Sequence, residues 1–181
     1  MEQLKRYFQR DALARRLGME LAEVSPGRAV TRMQIGQEHF NIFGTAHGGV
    51  VFALGDYAFE AACNSHGTVA IALNARILFV KAAGAGPLTA EAVETSCGGK
   101  IGTYDIRVSD ESGELVALFQ GMAYRKRDPI DWNACVRLSR RPKERTRQTR
   151  PTHPPCPCEC RERPGSPPTP RSPAPRPAVS A

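Results

Sequence analysis

The feature that most constrains this chain is residues 48–64, GGVVFALGDYAFEAACN. Apolar residues occupy almost every face of a helix drawn through this segment, so the helix must be covered on most sides. The segments around it have a different period. Residues 19–36 alternate and carry turn residues Ser25, Pro26 and Gly27 in their middle, which predicts two short strands. Residues 69–81 predict a third strand, residues 86–113 two more around the CGGK turn, and residues 113–127 a last one. Leu4, Tyr7, Phe8, Leu13 and Leu17 recur at roughly helical spacing, predicting an N-terminal helix over residues 2–17 that ends near Gly18. One long apolar helix among consecutive antiparallel strands is an α+β pattern, a single sheet wrapped on one buried helix.

Proline and charge divide the chain unevenly. Residues 133–181 hold 12 of the 15 prolines and 11 Lys and Arg against 3 Asp and Glu. Such a segment has little to bury and is expected to be disordered. We therefore read a folded domain over residues 1–132 and a Pro/Arg-rich tail over residues 133–181. The body carries 14 Lys and Arg against 15 Asp and Glu, so the formal net charge of +7 belongs to the tail. The body gives no reason to expect a nucleic-acid surface. No apolar run approaches the roughly 20 residues of a bilayer span, and the N-terminus lacks the continuous apolar core of a signal peptide. The expectation is a cytoplasmic protein that does not touch membranes. Cys63, Cys97 and Cys135 stand singly and are expected to be reduced and structural. Cys156, Cys158 and Cys160 form CPCEC, an alternate spacing that matches no known zinc pattern. Neither a metal nor a cofactor is expected.

Asp56 interrupts the apolar helix. A carboxylate there costs several kcal/mol unless it has partners, and its pKa should rise toward the range of a general base near neutral pH. Gly48 and Gly49 open the same helix. They offer backbone N–H groups and the positive end of the helix dipole, and glycine lets a ligand approach the backbone closely. A carbonyl oxygen held there would be polarised, and an oxyanion stabilised by about 3 kcal/mol per donor. Eight residues of helix separate Gly48 from Asp56 by about 12 Å. One chain therefore cannot bring both to one carbonyl, and the chemistry requires Asp56 of one subunit to face Gly48 of another.

The segment HFNIFGTAHGGVVFALGDYAFEAACNS, together with GTYDIRV and GELVALFQG, resembles the hotdog-fold acyl-CoA thioesterases, most closely their phenylacetyl-CoA thioesterase branch. The resemblance covers about residues 10–127 and implies a long helix wrapped by a curved antiparallel sheet, sheets paired edge to edge in dimers, and dimers paired into tetramers. It further implies that Asp56 is the catalytic carboxylate, as base or as nucleophile, and that the Gly48 amide binds the thioester carbonyl. Asn41 matches the amide that positions water or the carbonyl. His47 matches the histidine beside the glycine, either holding the loop or acting in catalysis.

Other residues carry weaker signals. Gly49 adds a second amide at the helix start. Asn74 either lines the acyl pocket or is an ordinary polar sheet position. Arg76, Lys81, Lys100, Arg125 and Lys126 could meet the nucleotide phosphates of coenzyme A, Lys100 and Arg125 foremost. Phe43, Phe52 and Phe59 are pocket walls or core. Cys63 and Cys97 have no base beside them, which argues against a cysteine nucleophile. The leading reading is hydrolysis of an aryl-acetyl or medium-chain acyl-CoA, as in phenylacetate degradation, by a homodimer or homotetramer. A hydratase or dehydratase of the same fold is the second reading; His39 and His47 lie before the helix, where the dehydratase pattern is absent. A non-catalytic acyl-CoA sensor is the third, and it would not require Asp56.

Overall fold

A computed structural model of the protein describes residues 2–132; the expected tail at 133–181, with its CPCEC motif, lies outside the described residues. Six strands form one antiparallel sheet in the order β1-β2-β4-β5-β6-β3. They are β1 Glu20–Ser25, β2 Arg28–Ile35, β3 Thr68–Phe79, β4 Gly86–Cys97, β5 Ile101–Asp110 and β6 Leu115–Pro129. The central helix, α3, spans Gly48–Asn64, as the apolar run predicted. This is the hotdog arrangement, with the sheet curved around one long helix.

The N-terminal segment differs from the expected single helix. It forms two short helices, α1 Glu2–Phe8 and α2 Ala12–Arg16. The break falls at Asp11, whose carboxylate accepts the Ala14 N–H at 2.6 Å. A short acidic side chain caps a new helix more favourably than it continues an old one. Tyr57 of α3 donates its hydroxyl to the Phe8 carbonyl at 3.1 Å, which fixes the N-terminal pair over the middle of α3.

The core lies between α3 and the concave sheet face. Leu54, Phe59, Tyr104, Ile106, Val108 and Phe119 are all fully buried there. Helix and sheet approach closely because Gly121 lies under Phe59; a Cβ at Gly121 would stand 2.6 Å from the ring. Thr31, also fully buried, spends its hydroxyl on the Leu54 carbonyl at 3.1 Å. That bond ties β2 to the helix two residues before Asp56.

The two sheet edges are unlike. β1 lies beneath α1, with Lys5 Nζ bonded to the Ala22 carbonyl at 3.0 Å. Among the described residues β3 pairs with β6 on one side only, and along it Ile71, Leu73, Leu78 and Phe79 are exposed. A long, apolar, unpaired edge strand is a template for another strand. Among the described residues no helix is long and apolar enough to cross a membrane.

Candidate active site

The loop before α3 is built by Asn41. Its side-chain oxygen accepts the Phe43 and Thr45 N–H groups at 2.8 and 3.3 Å, and its amide donates to Thr45 Oγ1 at 2.9 Å. The loop thereby closes on itself, and Ile42 and Phe43 are pushed into solvent at 93% and 83% exposure. Ala46 N–H then donates to the Ala83 carbonyl at 2.8 Å, and His47 N–H to the His39 carbonyl at 2.8 Å. These bonds fix where α3 begins.

His47 is the N-cap of α3. A helix leaves its first amides without intrahelical partners, and here His47 takes two of them, Gly49 and Val50, besides the first regular helical bond from Val51. Its Nδ1 accepts the Gly49 N–H at 2.9 Å. Its carbonyl accepts the Val50 and Val51 N–H groups at 2.9 and 3.2 Å. The Gly48 N–H alone has no acceptor among the described residues. Gly48 borders a cavity of about 290 Å³ that Asn41, Thr45, Phe79 and Ala83 also line. A Cβ at Gly48 would stand 3.1 Å from the Phe79 ring. The helix start and the free end of β3 are therefore neighbours.

Asp56 lies on the least covered stripe of α3, with Gly49 and Glu60. It is half-buried and has no hydrogen-bond partner among the described residues. Burial raises its pKa above the ordinary carboxylate value, and the charge of Asp11 raises it further. Glu60, one turn on, reaches the surface with its carboxyl hemmed in by protein. Burial first, then Asp11 and Asp56, push it up to about 7. The charge of Asp11 thus opposes ionisation of both Asp56 and Glu60. Because α3 is unbroken from Gly48 to Asp56, the separation of about 12 Å stands within one protomer.

The remaining expected residues fall elsewhere. Gly49 has already donated its N–H to His47, so it has no amide to give a substrate. Asn74 pairs with Met122 on the exposed edge strand; it shares the sheet face that points away from α3. Lys100 is exposed in the β4–β5 turn, and its carbonyl accepts the Arg125 N–H at 2.7 Å. The Arg125 guanidinium contacts Cys97 Sγ. Along β6, Val116 borders the Gly48 cavity and Arg125 lies nine residues further, about 30 Å away. One protomer does not bring Asn74, Lys100 or Arg125 to Gly48. Phe59 is core, Phe52 meets Phe119 in a tilted ring contact at 5.0 Å, and Phe43 stands exposed. Sequence reasoning missed Glu60 as a neighbour of Asp56, although the four-residue spacing places both on one helix face. It also missed a cluster of His66, Glu94 and Cys97 at the far end of α3, which only strand register could reveal.

The thioesterase superfamily matches residues 43–117 of the chain. The acyl-coenzyme A thioesterase PaaI of Escherichia coli is 37% identical over 119 residues, which are 65% of this chain and 85% of that protein. The solved structure of the E. coli PaaI protein from the phenylacetic acid degradation operon superposes with a TM-score of 0.68 at 35% identity. It covers 71% of this chain and 94% of its own. A mutant form of the phenylacetic acid degradation protein PaaI from Thermus thermophilus gives a TM-score of 0.62 at 38% identity, covering 64% of this chain and 100% of its own.

Proposed function

The chain belongs to the thioesterase superfamily and is a thioester hydrolase acting on acyl-CoA, and on that premise we propose that it cleaves phenylacetyl-CoA or a related aryl or medium-chain acyl-CoA at a site shared between two protomers. The observation that carries the reading is the single unspent amide of Gly48 at the positive end of α3. The thioester oxygen accepts that N–H, which stabilises the oxyanion as it forms. Asp56 of the second protomer, with its raised pKa, takes a proton from the attacking water and returns it to the departing thiolate of coenzyme A. Asn41 holds the loop that shapes the carbonyl pocket, and His47 positions Gly48 by consuming the neighbouring amides. Ile42 and Phe43 offer apolar surface to the acyl group.

The unpaired β3 edge supports the dimer, because pairing two copies of β3 would cover Ile71, Leu73, Leu78 and Phe79 and bring a partner up to Gly48. A homodimer, or a homotetramer built from two dimers, in the cytoplasm is the assembly this reading uses. Asn74, Lys100 and Arg125 serve the acyl group or the nucleotide only where a partner's site comes to them. Catalysis belongs to residues 1–132 and needs no metal or cofactor. The test is release of free thiol from a panel of acyl-CoA esters. Aryl-acetyl and medium-chain esters should turn over fastest, and Asp56→Asn should lower turnover by at least about 100-fold. A substituted enzyme that keeps its turnover would exclude Asp56 as the base.

A further inference from the structure

At the C-terminal end of α3, three side chains of metal-binding chemistry converge. His66 comes from the turn after the helix, Glu94 from within β4, and Cys97 from its last position. The His66 nitrogen, a Glu94 carboxylate oxygen and the Cys97 sulfur all lie within 4.8 Å of one another. His66 Nε2 and Glu94 Oε2 are 2.6 Å apart. The scaffold beneath them is tight. Gly27, in the β1–β2 turn, donates its N–H to Ser65 Oγ at 2.7 Å and accepts the Glu94 N–H at 2.7 Å. A Cβ at Gly27 would stand 2.7 Å from Glu94 Oε2, and its φ of +72° also favours glycine. The turn can close over the carboxylate only because no side chain intervenes.

The same spot holds polar atoms without partners. Glu94 Oε1, the Tyr104 hydroxyl and Arg125 Nε are buried and unbonded. Tyr104 is 1% exposed, faces Glu94 across the β4–β5 pairing, and feels the charges of Glu94 and Cys97. Folded proteins leave few such groups, and each one asks for an explanation. A bound cation accounts for two of them, Glu94 Oε1 directly and the Tyr104 hydroxyl through the carboxylate; Arg125 Nε, a cationic donor, is not one of its ligands.

We propose that His66, Glu94 and Cys97 bind one thiophilic divalent cation, Zn²⁺ being the best fit, with water in the fourth position. A nitrogen, an oxygen and a sulfur donor suit zinc, whereas magnesium and calcium take oxygen alone. Ligands at zinc distances stand roughly 3.3–3.8 Å apart in a tetrahedron. Cys97 Sγ, within 4.8 Å of both, closes in by no more than about 1.5 Å, and His66 and Glu94 part by about 1 Å. On binding, the Cys97 thiol proton passes to solvent, and His66 binds through Nε2 as a neutral imidazole with its proton on Nδ1. Arg125 donates to the thiolate, and the Tyr104 hydroxyl supplies an outer hydrogen bond that orients the carboxylate. His66 and Cys97 reach the surface, which gives the ion an entry path. The site joins the end of α3 to β4 and stands apart from Gly48, at the other end of the helix.

The test uses the full chain with Cys135, Cys156, Cys158 and Cys160 replaced by Ser, so that the tail supplies no thiolate. Metal-free protein is titrated with Co²⁺ by absorption and with Zn²⁺ by calorimetry. One ion per chain should bind, with a thiolate-to-cobalt charge-transfer band and the intense visible bands of four-coordinate cobalt. Cys97→Ser should abolish the charge-transfer band, and His66→Gln should weaken Zn²⁺ binding at least about 100-fold. Both variants, free of metal, should unfold at the temperature of the metal-free parent, and Zn²⁺ should raise the Tm of the parent alone. No cobalt band in the tail-substituted chain, or a band that survives Cys97→Ser, would overturn the proposal. So would full Zn²⁺ affinity in His66→Gln.

Discussion

At its first turn α3 has His47 consuming the Gly49, Val50 and Val51 amides, and it leaves the Gly48 N–H open beside a cavity. At its last turn the polar groups are closed off. Asn64 accepts the Ala70 N–H at 2.8 Å and donates to the Glu60 carbonyl at 3.0 Å. Ser65 Oγ donates to the Ala62 carbonyl at 2.6 Å, and Gly67 accepts the Ile130 N–H at 3.0 Å. One helix thus has an end that can receive an acceptor from outside and an end that anchors the chain. The difference lies in side chains that cap, and in the one glycine left uncapped. Propensity along the helix does not explain it.

The sharpest way to break the comparison is to remove the open donor with a proline, whose Cβ requires the Phe79 ring to give by a few tenths of an ångström. Gly48 is the first helical residue, a position that tolerates proline because its N–H makes no intrahelical bond. His47 before it has φ −63° and ψ 132°, the extended backbone that a following proline requires. Gly48→Pro should therefore fold and should lower kcat by about 100- to 1000-fold, the effect of deleting one oxyanion donor. Unchanged thiol release by a folded Gly48→Pro would make the open end catalytically irrelevant.

At the closed end the expected effect is on stability. Asn64→Ala leaves the Ala70 N–H without its acceptor and should cost about 2 kcal/mol, read as a midpoint shift in urea unfolding. Turnover per folded molecule should hold. A smaller effect sharpens the contrast along the exposed stripe. Glu60 titrates near 7 in the folded chain against an ordinary value of 4.5. Its neutral form is the one that burial and the Asp11 and Asp56 charges favour. Its contribution is complete below the ordinary value and is lost as pH rises to about 7. Glu60→Gln should flatten the decline of Tm between those pH values; an identical decline in the variant would assign it to other groups.

Periodicity made the architecture legible. The bounds of α3 and the six strands follow from apolar spacing and from turns at Gly27, the CGGK segment and Gly113, because those signals are local. The break at Asp11 was missed, since a cap competes with helix continuation through one side chain. HGG and the mid-helix aspartate marked where to look for chemistry. What the imidazole of His47 does to Gly49 was not legible, because it depends on a rotamer. The spacing of His66, Glu94 and Cys97 does not connect them, since an irregularity in β4 between Glu94 and Ser96 and the fit of Gly27 against Glu94 bring them together. Arg125 stands in the sequence as a candidate phosphate contact, and its contact with Cys97 depends on the β4–β5 and β5–β6 registers together.

The central claim is a site made of Gly48 from one protomer and Asp56 from its partner, and mixing two inactive proteins tests it most directly. Gly48→Pro and Asp56→Asn chains, unfolded together and refolded at equal concentration, should form mixed dimers that each hold one intact site. Thiol release should recover to about a quarter of the native rate, given random pairing and loss factors near 100 in the separate variants. A mixture no more active than the two proteins measured apart would contradict the composite site.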